Sequence, residues 1–105
     1  MYYNEKMEEI FKLYDFCMKR FEYPERWWSK RHFNIRCIDV WAYEDAICSC
    51  INSGKDNYDI IDNKILEYYT MINSKECDKI TASKLRRACQ VLNDMLIFIR
   101  KGRGL

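Results

Sequence analysis

Very little in this chain interrupts a helix. Its 105 residues include one proline, Pro24, and three glycines, of which Gly102 and Gly104 sit at the end. Strand-rich domains turn every few residues, and turns draw heavily on Gly and Pro. With Gly54 as the single interior glycine, the sequence divides into a few long segments. Hydrophobic residues make up 49% of the chain and aromatic residues 15%, more than a disordered composition carries. A domain of this length hides roughly 65% of the surface its unfolded chain exposes, enough for a core without metal or disulfide. The sequence therefore reads as one all-α domain over residues 1–105.

Periodicity fills in the segments. Asn4 is placed to cap a first helix, with Glu5, Glu8 and Glu9 near its positive end. Met7, Ile10, Phe11, Tyr14, Cys17, Met18 and Phe21 recur at three and four and predict its buried stripe. Tyr23 ends it, because a residue before proline avoids helical angles. Pro24 suits the first position of a short helix over residues 24–32. Asn34 is the expected cap of the next long helix, closed by Ser53 and Gly54. Its expected inner face holds Cys37, Val40, Trp41, Ile47, Cys48 and Ile51, although Ile35, Ile38, Ala42 and Ala46 make the far side apolar too. Asp56 or Asn57 opens a third long helix with Tyr58, Ile61, Ile65, Tyr68, Tyr69 and Ile72 on one face. Thr81 is the expected cap of a fourth, with Leu85, Ala88, Cys89, Leu92, Met95, Leu96 and Ile99 inward. The sum is a bundle of four main helices plus one short one.

Six cysteines raise the question of a metal or a disulfide framework. No Cys-x-x-Cys pair occurs, and His32 is the sole histidine. Cys48 and Cys50 are two apart, which on a helix points them roughly 200° away from one another. Cys17, Cys48 and Cys89 fall on the expected inner faces, where a free thiol acts as a small hydrophobe. The reading is no metal and no cofactor. No signal peptide and no membrane-length apolar run is visible, which points to a cytoplasmic protein. Richness in Lys, Asn, Ile and Tyr fits AT-rich coding and is compatible with a phage or mobile-element origin.

Charge is nearly balanced at +2 but unevenly placed. Residues 19–36 and 84–105 are net positive, and residues 1–18 and 37–83 net negative. Packed together, acidic and basic helices can neutralise one another. Left open, the basic faces would suit an acidic partner.

The segment from Tyr23 to Phe33 is the most distinctive local feature. Arg26, Trp27, Trp28, Lys30 and Arg31 combine residue types enriched at protein-interface hot spots. Adjacent indoles cannot both point inward, so one of Trp27 and Trp28 is expected to face solvent. The alternative is that this segment simply plugs one end of the bundle. Val91 and Phe98 form a second ridge on the last helix and predict a partner contact or self-association. Arg31, Arg36, Lys84, Arg86 and Arg87 make a competing nucleic-acid surface, the last three at the start of a helix. The competing reading of those three is a solvated face paired with the acidic third helix. Glu44, set among apolar wheel positions, would need a partner or a proton if buried. The tail from Arg100 to Leu105 is expected to be mobile.

No Gly-rich phosphate loop, Asp-Asp pair, Glu-x-x-His or His-Glu-x-x-His motif occurs. The expected function is therefore non-catalytic: binding of a macromolecule, a protein first, as an accessory or inhibitor protein. Binding of RNA or DNA through the basic faces is the alternative.

Overall fold

A computed structural model describes residues 3–20 and 30–105, with side chains described over 5–20 and 36–105. Four α-helices run in order: α1 Tyr3–Arg20, α2 Lys30–Asn52, α3 Asn57–Ile72 and α4 Lys79–Gly102. No strand occurs among the described residues. The all-α bundle expected from the periodicity is what forms. The short helix expected over 24–32 lies largely outside the described residues. Its last positions belong instead to α2, which is already helical at Lys30, so Asn34 lies inside that helix and does not cap it.

Caps explain the later helix starts. Asp56 is the N-cap of α3, its carboxylate accepting from the Asp59 amide at 3.4 Å. Asp78 caps α4 in the same way, accepting from the Thr81 amide at 2.6 Å. Thr81 is thus inside the first turn, three residues later than the cap. Asp outcompetes Thr here because its charged oxygen also meets the positive end of the helix. Arg100 and Lys101 close α4 with cations at its negative end.

Consecutive helices run in opposite directions. Lys6 of α1 meets Lys55 and Asn57, just after α2, whereas Met18 meets Tyr43 in mid-α2. Phe16 stacks on Phe98 of α4 at 4.5 Å, and Arg20 pairs with Asp94 one turn earlier in α4 at 2.6 Å. α2 and α4 touch along the middle of the bundle, and α1 and α3 flank them. Ala42, Ala46 and Ala88 are fully buried and let helix backbones approach closely. A single core cluster draws Ile10, Leu13, Ala46, Ile61, Leu92, Met95 and others from all four helices.

Two helices turn differently from their sequence expectation. In α1 the buried line is Lys6, Ile10, Leu13 and Cys17, and Phe11, Tyr14 and Met18 are exposed. In α2 the buried line is Asp39, Ala42, Tyr43, Ala46, Ile47 and Cys50. Trp41, Cys48 and Ile51, expected inside, face out. Both helices are apolar over a wide arc, so periodicity leaves their rotation open. The small side chains of α2 are the ones a crowded centre accepts.

Candidate functional site

The described polar clusters are ion-pair clasps between helices. Asp39 is completely buried in α2 and receives two hydrogen bonds from Arg87 of α4. These run from Nε to Oδ1 at 2.7 Å and from Nη2 to Oδ2 at 2.8 Å. A second cluster closes the opposite end of the bundle. Arg103 donates to Glu9 of α1 at 2.7 and 2.8 Å and to Asp56 at 2.8 Å. Beside it, the buried Asn57 accepts from Lys6 Nζ at 2.9 Å and donates to Glu9 at 3.1 Å. Lys6 Nζ also donates to the Lys55 carbonyl. Hydrogen bonds donated to Glu9, outweighing burial, raise the Arg103 pKa further. Asp56 runs the other way: burial would raise its carboxyl, but the Arg103 hydrogen bonds hold it below the usual value. The tail expected to be mobile is therefore pinned at Arg103, whose fork bridges two carboxylates.

A third polar contact joins α2 to α3. Asp45 accepts from the Tyr68 hydroxyl and pairs with Lys64, both at 2.8 Å. Burial would raise the Asp45 carboxyl, and these two partners override it and lower the pKa. The Tyr68 phenol is pushed up, first by burial and then by its bond to Asp45. Trp41 stacks on Tyr68 with ring centroids 5.6 Å apart.

The residues expected to bind a partner are only partly placed. Arg26, Trp27 and Trp28 lie outside the described residues, as do the side chains of Lys30 and Arg31. Val91 of the ridge expected to mediate self-association is buried in the core, and Phe98 is half-buried against Phe16 of α1. Glu44 is exposed; the fully buried acid of α2 is Asp39, five residues earlier. Of the nucleic-acid set, Lys84 and Arg86 are exposed and Arg36 is half-buried. Arg87 is engaged with Asp39 of α2, not with the acidic third helix. Its fork is already filled, which weakens it as a phosphate contact.

The cysteines divide by burial. Cys17, Cys50 and Cys89 are buried, Cys77 is half-buried, and Cys37 and Cys48 are exposed. Cys48 thus exchanges roles with Cys50, as residues two apart on a helix must when one of them faces the core. Among the described residues no group of His, Cys, Asp and Glu is arranged to hold a metal. Likewise, no described helix is long and apolar enough to cross a membrane.

Sequence reasoning missed the exposed apolar side chains of α1. Phe11 is 63% exposed, Tyr14 44% and Met18 42%. Across from them on α2, Ile51 is 51% exposed. On the other side of α2, Cys37, Ile38 and Trp41 line an open groove of about 510 Å³ with Thr81, Lys84 and Leu85. The signal for the α1 surface was present as excess width: the expected stripe held more large residues than one buried line needs. No family model, curated protein or solved structure matches this chain.

Proposed function

We propose that this chain is a non-catalytic helical protein that binds another protein, in an accessory or inhibitory role. The observation that carries the reading is the exposure of Phe11, Tyr14 and Met18 along one edge of α1. Large apolar and aromatic side chains at helical spacing gain from desolvation by a partner, and they are the usual anchors of protein interfaces. The non-catalytic part draws on the polar clusters. Asp39, Glu9, Asp56 and Asp45 are each committed to a cation or hydroxyl that ties two helices together. Groups saturated in this way hold structure and have little capacity left for proton transfer.

Affinity capture from the native host, with and without nuclease, tests the reading. Nuclease-resistant capture of a defined protein, lost in a Phe11→Ser, Met18→Ser variant of unchanged helicity, is the expected result. Recovery of nucleic acid alone would overturn it.

A second reading is nucleic-acid binding through Lys84 and Arg86. Both are exposed near the N-terminal end of α4, where Thr81 and Lys84 border an open groove. Phosphate-driven binding would weaken steeply with salt and be lost in Lys84→Glu, Arg86→Glu.

A further inference from the structure

Resting on the protein-binding reading, we infer that the channel between α1 and α2 docks one amphipathic helix with apolar anchors and flanking Lys or Arg. The antiparallel register set by Lys6 near Asn57 and Met18 near Tyr43 brings Phe11 and Tyr14 opposite Ile51 and Ile47. Tyr43, Ile47 and the half-buried Val40 form the floor, and Phe11, Tyr14, Met18 and Ile51 stand up from it. The walls run about 10 Å along α1, from residue 11 to 18, and about 16 Å along α2, from residue 40 to 51. That length receives two to three turns of helix, with anchors at i, i+3 or i+4, and i+7.

The rim sets the sign of the partner. At about 100° per residue, Asp15 and Glu8 follow Phe11 around α1, and Glu44 lies outside Val40 and Ile51 on α2. All three acids are exposed. Lys12, farther round α1, pairs with Glu8 at 3.2 Å, which leaves Asp15 and Glu44 as the principal rim charges. Lys19 sits on the outer side of α1, and the half-buried Arg36 lies at the far end of α2. Burial raises the Tyr43 phenol, and the neighbouring Glu44 carboxylate and Tyr14 add to the rise. A second copy of the chain placed channel to channel would set Asp15 and Glu44 against their own counterparts. On α4 the exposed large apolar side chains are Ile80 and Ile97, about 26 Å apart along the helix and too scattered to fill the channel. A basic amphipathic helix satisfies both the floor and the rim.

The test uses the full chain and two 15-residue peptides, one Leu–Lys and one Leu–Glu, each patterned with leucine at i, i+3, i+4 and i+7. In two-dimensional NMR titration the Leu–Lys peptide should bind and shift the signals of Phe11, Tyr14, Met18, Ile47 and Ile51. Asp15→Lys with Glu44→Lys should weaken it at least tenfold and favour the Leu–Glu peptide. Phe11→Ser should weaken both peptides; if that variant loses helicity, Tyr14→Lys gives the same readout. Three results would each overturn the inference: equal affinity for the two peptides, shifts clustered elsewhere, or protection of Phe11 and Tyr14 in the free protein. Such protection would assign the channel to a second copy if sedimentation shows a dimer, and to residues 21–29 of the same chain if it shows a monomer. A native protein partner still captured by the Asp15→Lys, Glu44→Lys variant would remove the channel while leaving the protein-binding reading in place.

Discussion

Arg87 grips Asp39 with both edges of its guanidinium, at 2.7 and 2.8 Å, and Asp39 is wholly buried. The pair joins the N-terminal halves of α2 and α4, away from the Arg103 cluster. Removing one partner of a buried pair leaves a charge without compensation, so Arg87→Ala should destabilise by about 3 kcal/mol. Asp39→Ala should cost less, because Arg87 reaches solvent. The double variant should lose less than the sum of the two, by about 1–3 kcal/mol of coupling in urea titrations. Strict additivity would mean that the two groups do not stabilise each other.

The rotation of α1 gives a sharp contrast between neighbouring positions. Leu13 is fully buried, and Leu13→Ala should cost about 3 kcal/mol through lost burial and the cavity left behind. Phe11→Ser should change stability by no more than about 0.5 kcal/mol, despite removing a larger side chain. Equal losses at the two positions would show that the helix is turned toward the stripe expected from periodicity.

Arg103 fastens the end of the chain to α1 and to the cap of α3. Arg103→Ala should raise amide exchange in the first two turns of α1 more than in the middle of α4. Glu9 and Asp56 lose a shared partner in that variant, whereas the α4 core is untouched. Uniform acceleration across all four helices would instead mean that Arg103 acts only on global stability.

Asp45 and Asp56 both titrate below the ordinary carboxylate value of 3.8 in the folded chain. In each, burial pulls the pKa up and hydrogen-bonded partners pull it down by more. A lowered folded pKa contributes stability that is complete above the unfolded value and is lost as pH falls through the folded one. Melting temperature should therefore vary little through these groups from neutrality down to about pH 4 and decline below it. Carboxyl carbon NMR should find the Asp56 titration moved upward in Arg103→Ala and the Asp45 titration unmoved. A shared shift would break the assignment of partners.

Thiol chemistry should separate the cysteines by burial. Burial pushes Cys17 up to about 12 and Cys50 up to about 11, far from thiolate formation at pH 8. A bulky disulfide reagent should label Cys37 and Cys48 at once and reach Cys17, Cys50 and Cys89 only on unfolding. Rapid labelling of Cys50 but not Cys48 would reverse the facing of α2.

The amino-acid sequence alone determined the fold class. Scarce Gly and Pro, long apolar periods and the Asp56 start leave few alternatives to a bundle of long helices, because local hydrogen bonding and capping act within a few residues. α4 was also legible in its facing, with Leu85, Cys89, Leu92 and Ile99 buried as their spacing requires; in α3 Ile61 and Tyr68 are buried as expected, but Tyr69, expected beside them, is exposed. Rotation of α1 and α2 was decided by packing. Each offers two apolar sides, and the choice depends on which side chains fit against α4, a matter of shape between residues distant in sequence. The same holds for the clasps. Glu9 and Arg103 are joined across almost the whole length of the chain, and no local pattern marks either as the partner of the other. The candidate surface follows from that choice: once Leu13 and Ala46 took the core, Phe11, Tyr14, Met18 and Ile51 were left facing out.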